Sequence, residues 1–268
     1  MKTDASLTIG VTLLAVLGVV AVFAPALAPY SPAAQNLAHD LAASSADHIL
    51  GTDKLGRDVL SRVIFGSRIS LAVGATTVTV SLAIGLSLGA LSGFFGGRTD
   101  RLLMRLVDIL MAFPGILLAI AMTAVLGPGL HHVVVALALI GWTGYARLVR
   151  GEILSLREKD FVQAALALGG SPARVIARHI VPNLLPTLLI QATFGMAAAI
   201  IAEGSLSFLG LGAEPPTPSW GAMLNEGRQF ILVAPHLTTY PGLAITITVL
   251  ALNLAGDGLR DRLEKRGK

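Results

Sequence analysis

The 268 residues include no cysteine, which excludes disulfide frameworks, thiolate metal sites and cysteine nucleophiles. Charge is scarce as well: 13% of the chain, where a soluble domain carries about a quarter. No G-x-x-x-x-G-K-[ST] occurs, so the chain cannot cradle nucleotide phosphates through that loop, and any uphill work must be powered from outside it. The one adjacent histidine pair, His131-His132, falls in a short predicted turn, and sequence neighbours rarely converge on one ion. The stretch "GLSLG" around Ser87 matches G-x-S-x-G in letters alone. A nucleophile elbow needs a strand-to-helix turn, whereas Ser87 lies inside a predicted helix with no histidine near it. No internal repeat and no mid-span pair of acids is found, the marks of a self-contained secondary transporter.

What the chain has is apolar length. Hydrophobic residues make up 54% of it, and the few charges cluster between long apolar runs, the pattern of an all-helical, polytopic membrane protein. At about 20 residues per span, six spans are expected: 7–30, 69–92, 106–126, 133–149, 184–201 and 239–255. Six spans place both termini on one side of the membrane. With the N-terminus inside, one face collects Lys2, Arg98, Arg101, Arg105, Arg147, Arg150, Arg157, Lys159, Arg174 and Arg178, and then the tail Arg260, Arg262, Lys265, Arg266 and Lys268. The other keeps only Lys54, Arg57, Arg62, Arg68 and Arg228. That bias puts both termini in the cytoplasm, and it accounts for the net charge of +4 without nucleic acid. A cleavable leader at 7–30 would leave five spans and an outside C-terminus, against the basic tail "LRDRLEKRGK".

The second run carries Thr77, Ser81, Gly85, Gly89, Gly93 and Gly97, a small residue every fourth position. On a helix these share one stripe, where another backbone can approach; Gly85, Gly89 and Gly93 are the expected packing centre. Glu203, in "IIAEGSLSFLGLG", is an acid near a span end, which makes it a candidate translocation or gate residue. The competing reading is an interfacial carboxylate hydrogen-bonded to the Gly-Ser turn that follows it. Asp108 is expected at the start of the third span as a dipole partner, and Trp220 as an interfacial anchor or a contact for a partner protein.

Between the fourth and fifth spans, "REKDFVQAALAL" predicts a helix, Gly169-Gly170 stop it, and Ser171-Pro172 restart one as N-cap and first helical residue. Pro182 and Pro186 mark the expected entry into the next span. Ala164, Ala165, Leu168 and Val175 would stand exposed on this elbow, which reads as a docking site for another protein; the alternative is a helix lying on the membrane surface.

"QAALALGGSPARVIARHIVPN" (163–183) resembles the signature cytoplasmic loop of permease subunits in bacterial ABC importers. "GTDKLGRDVLSRVIFGSRISLAVG" (51–74), "LVDILMAFPGILLAIA" (106–121), "SLSFLGLG" (205–212) and "GDGLRDRL" (256–263) narrow the resemblance to the C-type permease of dipeptide, oligopeptide and nickel importers. The resemblance covers nearly the whole chain. It implies the type I importer transmembrane fold: an N-terminal anchor helix and extracytoplasmic segment (1–68), a permease domain (69–258) with its coupling loop at about 150–183, and a basic tail (259–268). It also implies ATPase coupling through Gln163, Ala164, Ala165, Leu168, Gly169, Gly170, Ser171 and Pro172. Gln163 stands where the family often has Glu, so length and hydrogen bonding remain but not charge. The implied partners are a homologous permease, two ATPase subunits that carry ATP and Mg, and a periplasmic or extracellular solute-binding protein. This chain itself is implied to be non-catalytic, without cofactor or metal, in the bacterial inner membrane. Peptides are the expected cargo and nickel the alternative, because the residues form no credible metal relay.

Overall fold

The structure is a computed structural model that describes residues 2–266, with side-chain surroundings for 5–265. Of the basic residues that set the expected orientation, Lys268 and the side chains of Lys2 and Arg266 lie outside the described residues. Among the described residues there is no strand, only an isolated bridge between Thr52 and Asp58.

Helix α1 (Lys2–Val22) is followed by the short α2 (Ala24–Leu27) and an irregular segment, 28–58. α3 (Val59–Phe95) starts ten residues before the apolar run does, because the Asp58 carboxylate caps it, accepting from the Ser61 N–H at 2.8 Å. At 1.5 Å per residue its 37 residues reach about 55 Å, well beyond a hydrocarbon core of about 30 Å. α3 therefore projects past the span, into a cap at one end of the bundle.

The single third span expected at 106–126 is instead two helices, α4 (Gly97–Met111) and α5 (Gly115–Leu126), bent by 85°. Pro114 is the cause: it brings no N–H and pushes the residue before it out of the helical region. Asp108, expected at a helix start, sits in the last turn of α4 and pairs with Arg147 at 2.5 Å. Both side chains are at least half exposed, so the pair contributes little.

α6 (Leu130–Leu156) leads into α7 (Asp160–Ala167), and the chain then turns into α8 (Pro172–Val175). A π-helical turn (Ile176–Ile180) joins α8 to α9 (Val181–Phe208), so the helix runs without a break from Pro172 to Phe208. The expected boundary at the prolines is thus absent. The π turn absorbs the mismatch, and Asn183 Nδ2 donates to the His179 carbonyl at 2.7 Å in the stretch where Pro182 and Pro186 bring no donors. α10 (Trp220–Gly227) and α11 (His236–Arg266) complete the order, and the basic tail as far as Arg266 forms the last turns of α11. Among the described residues five helices are long and apolar enough to span a membrane, or six if the bent α4–α5 pair is taken as one span.

α3 and α6 form the centre of the bundle. A Cβ on Gly89 would sit 2.6 Å from the Ala146 carbonyl oxygen and 2.8 Å from Val149 Cβ. One on Gly93 would lie 3.0 Å from both the Arg150 carbonyl oxygen and Ile153 Cβ, and one on Gly85 would overlap Tyr145. Gly97 is not part of this stripe: it opens α4 at φ +59, and a Cβ there would meet nothing within 4 Å. Ser87 lies within α3, where its Oγ donates to the Ala83 carbonyl at 2.8 Å.

The cap is built from 28–58 and the segment around α10. Arg57 donates to Asp53 and to Glu226, each at 2.6 Å, and Arg62 donates to Glu226 at 3.0 Å. Buried charges are tolerated only when mutually paired, and this cluster ties the chain before α3 to α10. Trp220, expected at a headgroup or partner interface, is buried, its Nε1–H donating to the Val63 carbonyl at 3.0 Å.

Candidate functional site

Two features lie away from the packed centre: the elbow at the end opposite the cap, and a groove halfway along the bundle.

α7 ends in a Schellman closure. The Gly169 N–H donates to the Leu166 carbonyl at 2.9 Å and the Gly170 N–H to Ala165 at 3.0 Å, with Gly169 at φ +85. Ser171 takes the N-cap position and Pro172 the first helical position, but the serine hydroxyl makes no cap bond. The elbow has its own core, in which Val162, Val175 and Ile180 pack on Val149 and Ile153 of α6 and Ala90 of α3. Val175, expected on the free face, is therefore 1% exposed, and Ala165 is half-buried. The pattern of alanines does not disclose that α7 and α8 fold against each other. Gln163 turns back to donate from Nε2 to the Arg157 carbonyl at 2.7 Å, bracing the α6–α7 corner. What remains free is Ala164 with Phe161 at 43% exposure and Leu168 at 89%. Beside the elbow, Arg150 bridges to Asp100 at 2.5 and 2.6 Å, and Ser92 donates to the same carboxylate, joining α3, α4 and α6.

The groove is a cavity of about 260 Å³ between α3, α5, α6 and α9. Its polar lining is Thr77, Ser81, Tyr145 and Gln191, and Gly144 and Gly195 keep it open. Thr77 lies midway along α3, and its buried Oγ1 has no hydrogen-bond partner. The Tyr145 hydroxyl makes a long 3.4 Å bond to the Gln191 carbonyl. Neutral donors and acceptors in an apolar setting suit a ligand that brings its own amides, and an unpaired buried hydroxyl costs about 1–3 kcal/mol until something bonds to it. The sequence does not mark these residues as a site: Thr77 and Ser81 read there as small residues of the packing stripe, and nothing marks Gln191 within its apolar run.

Glu203 does not line this groove. It lies inside α9, not before a turn, and is 1% exposed. Ser207 Oγ donates to one carboxylate oxygen at 2.7 Å and Ser70 Oγ approaches the other at 3.4 Å. The carboxylate thus joins α9 to α3 beneath the cap. Among the described residues no group of three or more acidic, histidine or cysteine side chains is placed to hold a metal ion. The His131 and His132 rings lie close in the first turn of α6, their planes tilted by 51°, with His132 Nδ1 3.0 Å from the Gly127 carbonyl.

Comparison with known proteins agrees with this architecture. Residues 85–268 match the family described as "Binding-protein-dependent transport system inner membrane component", and residues 6–43 match "N-terminal TM domain of oligopeptide transport permease C". The chain is 43% identical over 268 residues to the dipeptide transport system permease protein DppC of Alkalihalophilus pseudofirmus, covering all of this chain and 88% of that protein. It is 48% identical over 224 residues to the glutathione transport system permease protein GsiD of Pectobacterium atrosepticum, covering 84% of this chain and 74% of the relative. A solved structure of the MetNI methionine ABC transporter, inward facing, superposes with a TM-score of 0.62 at 20% identity. That alignment covers 78% of this chain and 97% of the other, and it is a likeness of fold.

Proposed function

The chain belongs to the binding-protein-dependent transport system inner membrane component family, as an ABC importer permease of the dipeptide/oligopeptide group, and we propose that it forms half of a translocation path for di- or oligopeptides. The observation that carries the cargo reading is the groove, whose Thr77, Ser81, Tyr145 and Gln191 offer neutral hydrogen-bonding groups at mid-span. Such groups match peptide amides. A nickel path, the alternative within the family, would call for imidazole or carboxylate in the lining. A self-contained secondary transporter is set aside by the family itself.

In this reading the groove faces a homologous permease, the cap meets a solute-binding protein, and the elbow rests on one of two ATPases that bind ATP and Mg. Both termini and the elbow are cytoplasmic. Closure of the ATPase pair moves Phe161, Ala164 and Leu168, and the helix from Pro172 to Phe208 carries the movement from elbow to cap past Gln191 and Gly195 in the groove wall. Energy enters only because the closed ATPases bind one bundle conformation better than the other.

Gly144 provides the test. A Cβ there meets nothing within 4 Å, yet the residue lines the groove. Gly144→Leu is expected to insert and assemble normally, since leucine favours a helix over glycine by about 1 kcal/mol, while filling the path. Peptide uptake in whole cells should fall about tenfold or more, the factor that ~1.4 kcal/mol added to a barrier gives. Undiminished uptake would remove the groove from the path.

A further inference from the structure

A second groove, of about 570 Å³ and outside the proposed path, runs between α1 and α3, with Met196 of α9 and Leu252 of α11 also lining it. α1 is held on its other side by α11: a Cβ on Gly10 would lie 2.5 Å from the Ala255 nitrogen, and one on Gly258 would lie 2.6 Å from Leu7 Cα. Toward α3 the contact is open. A Cβ on Gly18 meets nothing within 4 Å, and Ala72 and Ala75 opposite it are equally short. The groove extends along α1 from Leu14 to Val22, about 12 Å at 1.5 Å per residue. Every lining residue is apolar except Arg68. That guanidinium is exposed and makes no hydrogen bond or ion pair among the described residues. The chain leaving α1 meets the start of α3, where the Tyr30 N–H donates to Ser61 Oγ at 3.1 Å, so Arg68 lies toward the Val22 end of the groove, near the cap.

We infer that this groove is a binding site for an anionic glycerophospholipid, one acyl chain lying over Gly18, Ala72 and Ala75 and the phosphate paired with Arg68. A lone cation at the polar end of an apolar slot is complementary to that molecule: charge at the headgroup level, an alkyl chain below it. A protein helix pressed into the slot would need a carboxylate of its own at that level to pair Arg68, whereas an anionic headgroup carries the charge itself. The inference rests on the chain's residence in a membrane and is independent of its cargo.

The test is native mass spectrometry of the purified importer complex, loaded from mixed micelles with phosphatidylglycerol or phosphatidylcholine of identical acyl chains. The wild type is expected to retain phosphatidylglycerol several-fold better than phosphatidylcholine. Arg68→Ala should erase the preference while leaving weak retention of both, Arg68→Lys should restore it, and Gly18→Leu should lower retention of both lipids. Equal retention of the two lipids by the wild type, or a preference that survives Arg68→Ala, overturns the site. So does a disulfide cross-link from Gly18→Cys to a cysteine placed in a neighbouring subunit, which would show the slot covered by protein. Should Gly18→Leu fail to assemble, the Arg68 pair decides the question alone.

Discussion

Gly89→Leu is expected to abolish assembly of the permease. A Cβ at Gly89 already falls 2.6 Å from the Ala146 backbone oxygen, and hydrogen-bonded backbone inside two long helices cannot step aside. Leucine adds three more carbons to that clash. Over-packing costs about 1–3 kcal/mol where side chains can adjust, and this contact lies beyond that range because the obstacle is the main chain of α6. In lipid, helix association comes from close van der Waals approach and not from a hydrophobic drive, so parting α3 from α6 removes the main contact of the bundle. The expected readout is loss of monodisperse complex in detergent and a sharp drop in protein at the membrane. Gly144→Leu is the matched control, since it adds the same side chain to α6 where space is open. A complex of normal stability carrying Gly89→Leu would refute the packing account.

Leu168→Asp is expected to do the reverse: leave the permease intact and stop transport. Leu168 is 89% exposed, so nothing in the folded chain depends on it. If the elbow docks on an ATPase, the same leucine is buried in that contact, and an unpaired carboxylate there costs about 2 kcal/mol or more, as at other interface centres. Uptake should fall about thirtyfold or more by the same free-energy conversion, with membrane level and thermal stability unchanged. Gly169→Val acts on the same element by another route. Space around Gly169 is free, so its cost is the left-handed backbone, φ +85, about 1–2 kcal/mol for a residue with a Cβ. It should tilt the Leu168 face and lower uptake without expelling the protein from the membrane. Val175→Asp, by contrast, should unfold the elbow, because Val175 lies inside its core. Normal uptake with Leu168→Asp would show that the exposed face is not the docking face.

Features that repeat along one helix were legible in the sequence. The small-residue period of α3 pointed to a close helix contact, though not to α6 as its partner, because the period is set along one helix; the Gly-Gly stop with Ser171-Pro172 marked the elbow, because local backbone chemistry fixes it. Features that depend on distant partners were not. Arg57 and Arg62 looked like isolated outer charges, and their acceptor Glu226 lies 169 and 164 residues away. The bend at Pro114 hid inside an apolar run whose hydropathy is continuous across it. Glu203 was recognisable as an unusual acid, but its serine partners on α3 and α9 were not. The groove went unread because a threonine and a serine that face a cavity look, in sequence, like two that face a helix.

The most direct test of the account uses the absence of cysteine from this chain. With Leu168→Cys as the chain's sole thiol, a short bifunctional reagent is applied to membranes that hold the complete transporter, whose ATPase subunits carry single surface cysteines. A conjugate between position 168 and an ATPase subunit is expected, with the Leu168→Cys thiol in intact cells unreactive toward a membrane-impermeant maleimide. Labelling of the Leu168→Cys thiol from outside the cell, with no conjugate formed, would contradict it.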